Sequence, residues 1–532
     1  MKENAKTPLF VLTHFPFVLL LLALFACSED KEEHGQGIYN FSFKAQYNEN
    51  LKADVHGVID GNEIKFDLQE KLGGEEALVA TFNYRGSNVK IGTTDQVSNV
   101  TINDFTKPLV YTVTTNGGAK IDYTVTVTSK LSRIPRVYVE TAGKQAITSK
   151  ETYVKGSVRV EDPDELFSDG TSFFADMEIR GRGNSTWGQP KKPYRIKMDE
   201  KASILGLGAD KNYAMLANYF DKTLLRNLTA FEMSRIAGID WTPGSISVDF
   251  YLNGAYKGVY TITEHVKVSK ERVNLDLVGK NDNEGEALTG DYFLELDFHF
   301  DEPYKFKTDK ESLPIMFKDP EEPTTAQYNY VKDFFNKAEQ VLYSDDFLDP
   351  EEGYRKYIDM ESFLKYYLVQ ELAKNVDGNF RGSCYLSLRR NGKIEVPLIW
   401  DFDIAFGNAE HIVWEQHASS AGPEGWYLRT CAPWFDRFFK DPQFTADLKA
   451  RWNELKPQFD KLPTFVEESA ARLDAAQRRN FGSVFDGGAG WDINEVMWPN
   501  YIDRLNYQNE VAYLVGFLKQ RIQWLDTNIN NL

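Results

Sequence analysis

The sequence predicts an α+β chain in which an all-β sandwich precedes a mixed body whose C-terminal part is helical. Three observations predict it. Short stretches alternating apolar and polar residues fill the region from Ile38 to about Lys130. A mixed region with strand-like runs and one amphipathic helix follows, from Ile134 to about Asp319. Beyond Pro323 the apolar residues recur at helical spacing. A chain of 532 residues is also too long for a single core, so more than one domain is expected.

The first segment, 1–26, reads as a leader. Lys2 and Lys6 precede an uncharged apolar run from Phe15 to Ala26. That run is about a dozen residues, shorter than the ~20 a spanning helix needs. It ends in Leu24-Phe25-Ala26-Cys27, which resembles a lipobox. The expectation is export, cleavage, and lipidation of Cys27 as a membrane anchor. Residues 27–37 are polar and acidic and read as a disordered tether. An acidic stretch there also resembles the signal that sends lipoproteins of Bacteroidetes-type bacteria to the outer cell surface. Outer membrane or cell surface is therefore the expected location.

Residues 38–130 carry strand patterns such as Ile64-Lys65-Phe66-Asp67-Leu68 and Tyr111-Thr112-Val113-Thr114. Asp60-Gly61-Asn62, Gly73-Gly74 and Asn116-Gly117-Gly118 separate them as turns. With Asp104-Phe105-Thr106 and Asp122 to Val127, the segment resembles immunoglobulin-like modules, with a spacing or weak binding role.

The body, 134–530, opens with strands expected at Val137–Glu140 and Ile246–Leu252. The second meets Asn253-Gly254 and then Tyr256–Ile262, a hairpin signature. Lys222–Ala237 reads as a helix stopped by Gly238. Tyr328–Leu342, Met360–Asn375, Trp434–Leu462, Phe465–Arg479 and Tyr507–Asn528 are helix-like, with a short strand at Lys393–Ile399.

The formal net charge of −18 makes nucleic acid a poor partner. The sequence has no CxxC or HExxH zinc pattern. Cys384 and Cys431 could pair or stay as free thiols; spacing does not decide between the two.

Three clusters could carry chemistry. Arg180-Gly-Arg182-Gly-Asn-Ser-Thr-Trp187, with Lys191-Lys192-Pro-Tyr-Arg195-Ile-Lys197, crowds cations and glycines together as a phosphate clamp would, or as a solvated basic hairpin would. Asn375-Val-Asp377-Gly places an acid in a loop where a helix ends, suited to orienting a hydroxyl or simply to making a turn. Trp400-Asp401-Phe402-Asp403 offers two acids at alternate positions among aromatic residues. There they would share a hard cation such as magnesium or manganese, or serve as a cap and a satisfied buried acid.

These clusters, taken with Leu216-Ala-Asn-Tyr-Phe-Asp221-Lys-Thr-Leu-Leu-Arg226-Asn227 and Gly258-Val-Tyr-Thr-Ile-Thr-Glu264, resemble the CotH family of atypical kinases, from about Arg136 to Gln523. The resemblance implies an atypical protein-kinase-like α+β domain that transfers the ATP γ-phosphate to a protein acceptor. By it, Asp377 is the catalytic acid and Asp401 the metal-binding acid, to which the spacing read above adds Asp403 as a second ligand of Mg2+ or Mn2+. Lys197 is the nucleotide-phosphate lysine, with Arg180, Arg182 and Lys192 as further cofactor-binding candidates. Glu264 would pair with a lysine. Ser383 departs from an asparagine expected at a second-metal position, and Arg381 adds a cation nearby.

Two other functions fit parts of the sequence. Asp401-Phe402-Asp403 also suits a metal-dependent glycosyltransferase, although the strand–helix alternation of such a fold is missing upstream. A catalytically inactive adhesin or glycan-binding lipoprotein is the other, because ATP is scarce outside the cytoplasm.

Overall fold

The computed structural model describes residues 35–48, 51, 54–68, 77–105, 107–129, 134–162, 164–409, 422–496, 498 and 501–532. The expected leader, Cys27, most of the tether, the Gly73-Gly74 turn and Thr106 lie outside them. Two compact units emerge, dividing between Thr128 and Ser129. Among the described residues no helix is long and apolar enough to cross a membrane.

The first unit consists of two β-sheets. One orders Val55–His56, Gly37–Phe43, Leu78–Arg85 and Ile102–Asn103; the other has six strands, with Lys120–Ser129 and Leu109–Thr114 antiparallel at its centre. Gly61 and Gly118 both sit at positive φ in the turns where the sequence placed them. Aromatic rings from both sheets form the core: Phe41 lies 5.1 Å from Tyr111, and Phe43 lies 4.5 Å from Phe66, centroid to centroid.

The second unit begins with seven strands: Arg136–Thr141 (β1), Val154–Glu161 (β2), Phe173–Gly181 (β3), Tyr194–Ala202 (β4), Asp210–Leu216 (β5), Ser245–Leu252 (β6) and Ala255–Glu264 (β7). They close into a barrel, β1-β2-β3-β4-β5-β7-β6, sealed by parallel pairing of β6 with β1. Closure is the main feature that the sequence reading lacked. The β6–β7 hairpin turns through Asn253 and Gly254, both at positive φ, as a two-residue turn of the expected kind requires. Val139, Val158, Ile179, Ile196 and Val248 fill the barrel.

Helix α1, Arg226–Ala237, starts four residues later than the periodicity suggests. Asp221 is responsible: its Oδ1 accepts from the backbone and hydroxyl of Thr223 and its Oδ2 from the Arg226 amide, folding Lys222–Leu225 into a capping loop. Next comes a five-stranded sheet of Tyr292–Leu296 (β8), Lys305–Lys307 (β9), Pro314–Asp319 (β10), Cys384–Leu388 (β11) and Ile394–Glu395 (β12), ordered β9-β10-β8-β11-β12. The strand expected at Lys393–Ile399 shrinks to β12, since Pro397 has no N–H for a ladder.

Helices α2 (Thr325–Leu342), α3 (Met360–Ala373), α4 (Pro442–Phe459), α5 (Leu462–Arg472), α6 (Asp474–Phe481) and α7 (Tyr507–Asn530) complete the body. The expected Trp434–Leu462 helix is broken where Asp441 caps a new one by accepting from Gln443 N, with Pro442 in its first turn. Cys384 and Cys431 are free thiols.

Candidate active site

A cavity of about 670 Å3 opens within the second unit. The loop after β3 lines it with Arg182 to Thr186, the end of β8 with Glu295 and Asp297, the loop after α3 with Asp377, and the turn after β12 with Asp401 and Asp403.

The glycine loop is shaped by its own side chains. Gly183 has φ +81°, and a Cβ there would lie 2.4 Å from Thr186 Oγ1. Only glycine fits without strain, which lets the loop backbone approach a ligand closely.

The Asp377 loop leaves α3 through Lys374 in a left-handed conformation, and Phe380 and Ser383 also take positive φ. Strain of this kind persists only where packing overrides it. The packing is visible: Phe380 is fully buried, 5.7 Å from the Phe363 ring and 5.5 Å from Trp434.

Asp401 is likewise left-handed, φ +64°, and its backbone is held from two sides. Buried Asn375 donates Nδ2–H to its carbonyl at 3.0 Å, and Asn227 Oδ1 accepts from the next amide, Phe402, at 2.8 Å. Asn408 donates to the Asp403 carbonyl and to that of Phe220, while Arg226 Nε donates to Ala405 O. Arg226 itself forms a fully buried ion pair with Asp221, 2.5 Å. The Leu216–Asn227 segment therefore contributes Leu216, Ala217, Asn218, Phe220 and Asn227 to the cavity wall and also acts as the brace of the acid turn. The turn itself, and not a strand, brings Asp401 and Asp403 together.

The electrostatics are those of crowded, poorly solvated acids. Burial, then Asp401 and Asp297, pushes the Asp377 carboxyl up to about 8. Asp401 is raised by burial and by Asp297, against the pull of Arg182 and of hydrogen bonds with Ser383 and Asp403. Asp403 is held well above the usual carboxylate range by burial and by Asp401 and Asp377. Arg182, over the Trp400 ring at 5.6 Å, is the cation that Asp401 feels most. Among the described residues, no three His, Cys, Asp or Glu side chains form a ready-made metal cage.

Asp377, Asp401, Asp403 and Arg182 thus meet in one cavity, while the other expected site residues stand elsewhere. Lys197 alternates with inward Ile196 and Met198, so it points out of the barrel, where it binds Glu178 at 2.9 Å and does not line the cavity. Lys192 folds back on the glycine loop, donating to Trp187 O. Among the described residues Glu264 pairs with no lysine; it accepts from Gly208 N and Gly244 N and ties two loops at the barrel end. Arg180 lies on the outer wall, over the Tyr153 ring. Arg381 reaches the cavity but leans on Glu311, and Ser383 donates to Asp401.

Asp297 escaped the sequence reading. It closes the run Phe293-Leu-Glu-Leu-Asp297, where an acid ending an apolar strand was the available signal. It is 9% exposed and accepts from His299 N.

Comparison with known families comes down to one match. A family model described as CotH kinase protein covers residues 179–525, from within β3 into α7 and thus the whole cavity lining. No curated protein matches the chain. The chain belongs to the CotH kinase protein family.

Proposed function

We propose that this protein is an exported, lipid-anchored phosphotransferase that moves the γ-phosphate of ATP to a protein acceptor with the help of a divalent metal. The observation that carries the reading is the gathering of Asp377, Asp401, Asp403 and Asp297 beneath a glycine loop bearing Arg182. Buried acids with too little positive charge beside them favour a cationic guest.

A divalent ion suits this donor set. Asp401 and Asp403 are hard oxygen donors that would hold it, and Mg2+ characteristically takes one or two carboxylates and completes its shell with phosphate and water. Held there by Asp401 and Asp403, such an ion would supply charge neutralisation for the transferring group. Asp377 lines the same cavity, and once a bound cation offsets the fields that keep its carboxyl protonated it would orient an acceptor hydroxyl in line and take its proton. Arg182 offers a planar fork to phosphate oxygens, and the Gly183 backbone allows close approach.

Cys27 is the proposed lipidation site, the cell surface or outer membrane the proposed location, and the N-terminal β unit an immunoglobulin-like spacer.

The test is a thermal-shift titration of the purified protein with ATP, GTP and UDP-glucose, each with and without Mg2+ or Mn2+. A metal-dependent rise with ATP is expected. Asp401→Ala should abolish it, whereas Asp377→Ala should keep binding and lose transfer. A rise with UDP-glucose alone would replace the reading with glycosyl transfer, and no rise at all would leave a binding protein.

A further inference from the structure

The connection between α6 and α7, residues 482–506, turns its apolar side chains outward. Phe485 is fully exposed, Val484 and Leu505 are about two-thirds exposed, and Val496, Trp498 and Tyr501 lie between 40% and 57%. More than half of the exposed large apolar side chains described in the second unit fall in this one connection. Apolar residues scattered singly over a surface are ordinary, whereas a concentration of them marks a contact surface.

The exposure is not that of a loose loop. Its ends meet where the Phe481 and Tyr507 rings lie 6.4 Å apart. The amides of Ala489, Gly490 and Trp491 donate back to the carbonyls of Arg479, Gly482 and Asn480. Trp491 Nε1 donates to Lys257 O at 2.8 Å, Tyr219 Oη to Glu495 Oε2 at 2.9 Å, and Lys222 to Glu495 O. Charged groups of the connection are used in the same local way. Asp492 and Asp503 accept from the amides of Asn494 and Leu505, and Arg504 lies 3.6 Å from Glu510 and 3.8 Å over the Tyr513 ring. Polar groups thus tie the connection to the fold, and apolar ones are left facing out.

Large side chains carry ~150–250 Å2 each, so these exposures leave on the order of 700 Å2 open, close to the ~800 Å2 that each partner buries in a stable interface. Composition narrows the partner. A membrane surface favours lysines and arginines beside the apolar residues, and this connection has Arg504 alone, already engaged. A chain of net charge −18 repels its own copy wherever free acids face out, but here the acids sit in local bonds and the open area is mainly apolar, the composition of a homodimer interface.

We propose that the 482–506 connection is a self-association surface, on which a second copy of this chain seats the same stretch about a two-fold axis. The proposal is independent of the phosphotransferase reading. Two-fold pairing makes the surface complementary to itself, so each apolar side chain is buried twice per dimer. Trp498 also lines the cavity, 5.4 Å from the Phe220 ring, so the second copy stands at the cavity mouth.

Sedimentation velocity of the full chain from about 1 μM to about 100 μM tests the surface, and a monomer–dimer equilibrium is expected within that range. Phe485→Asp and Leu505→Asp should each weaken the dimer about tenfold or more, since one substitution sets a charge into the apolar contact twice. Both positions are exposed in the single chain, and melting curves show that the variants are folded. Leu348→Asp, at an exposed apolar position elsewhere in the same unit, should leave the dimer within about twofold. Raising salt from about 0.1 M to about 1 M cuts the Debye length from ~10 Å to ~3 Å and should tighten the dimer, because screening relieves the repulsion between two acidic chains. A wild type that stays monomeric at about 100 μM overturns the proposal. So does association that persists in both aspartate variants, as it would if the apolar leader drove it, or that Leu348→Asp weakens equally. A dimer that comes apart in salt overturns it as well, since the contact would then be ionic. A monomeric wild type that floats with phosphatidylcholine vesicles through Phe485 replaces the second copy with a membrane surface.

Discussion

Replacing Asp377 with asparagine should make the protein more stable while ending its proposed chemistry. The carboxyl ionises near 3.8 in an unfolded chain and near 8 in the folded one, because burial and the fields of Asp401 and Asp297 oppose its charge. A group whose folded value is raised contributes stability in full below the unfolded value and loses it as pH rises through the folded one. At 1.36 kcal/mol per pH unit, the cost of this side chain grows from about 2 kcal/mol at pH 5 to about 4 kcal/mol at pH 7 and about 5 kcal/mol at pH 8. These are upper bounds, since Asp401 and Asp403 relax when their neighbour is neutral. Asp377→Asn keeps the shape and removes the charge. Urea denaturation in EDTA, followed at pH 5 and pH 8, should therefore show the variant gaining over the wild type, with a larger gain at pH 8. A gain that is absent, or equal at the two pH values, would refute the electrostatic account of the cavity. Sites that trade stability for function behave in this way.

Further outcomes follow from the same geometry. Asp221→Ala leaves the fully buried Arg226 guanidinium without its partner and loosens the Asp401–Asn408 turn, so denaturation should show a loss of about 3–5 kcal/mol. A loss below about 1 kcal/mol would mean that the brace is dispensable. Lys197→Ala should change stability by no more than about 1 kcal/mol, because its pair with Glu178 is exposed. A tenfold or greater fall in ATP affinity of that variant would return the lysine to the site. Gly258→Ala should destabilise by about 2 kcal/mol or more in thermal melts, given φ +102° and a Cβ that would meet Asn480 Oδ1 at 2.4 Å. A melting temperature equal to the wild type would show that α6 is not packed on β7 as described.

Much of this molecule is determined locally. Asn253-Gly254 between two β-rich runs has few alternatives to a tight hairpin, because both positions need positive φ and the flanking residues alternate. Gly238 closes α1 in a left-handed cap for the same steric reason. Gly183, Asp377, Asp401 and Asp403 were also readable as chemistry, since a glycine beside cations and acids in apolar surroundings are costly without a purpose.

The tertiary structure alone decided the rest. Closure of the barrel depends on β6 meeting β1, strands separated by more than a hundred residues, and no local pattern encodes that meeting. Asp297 joins the acids because β8 pairs with β11 and ends at the cavity. Lys197 and Arg195 look equivalent in sequence, two residues apart on one face of β4. Cross-strand neighbours separate them, for Lys197 meets Glu178 and Arg195 meets Arg180. Charge on a strand acquires its meaning from what the sheet sets beside it, and Coulomb energy depends on distance in space, not along the chain.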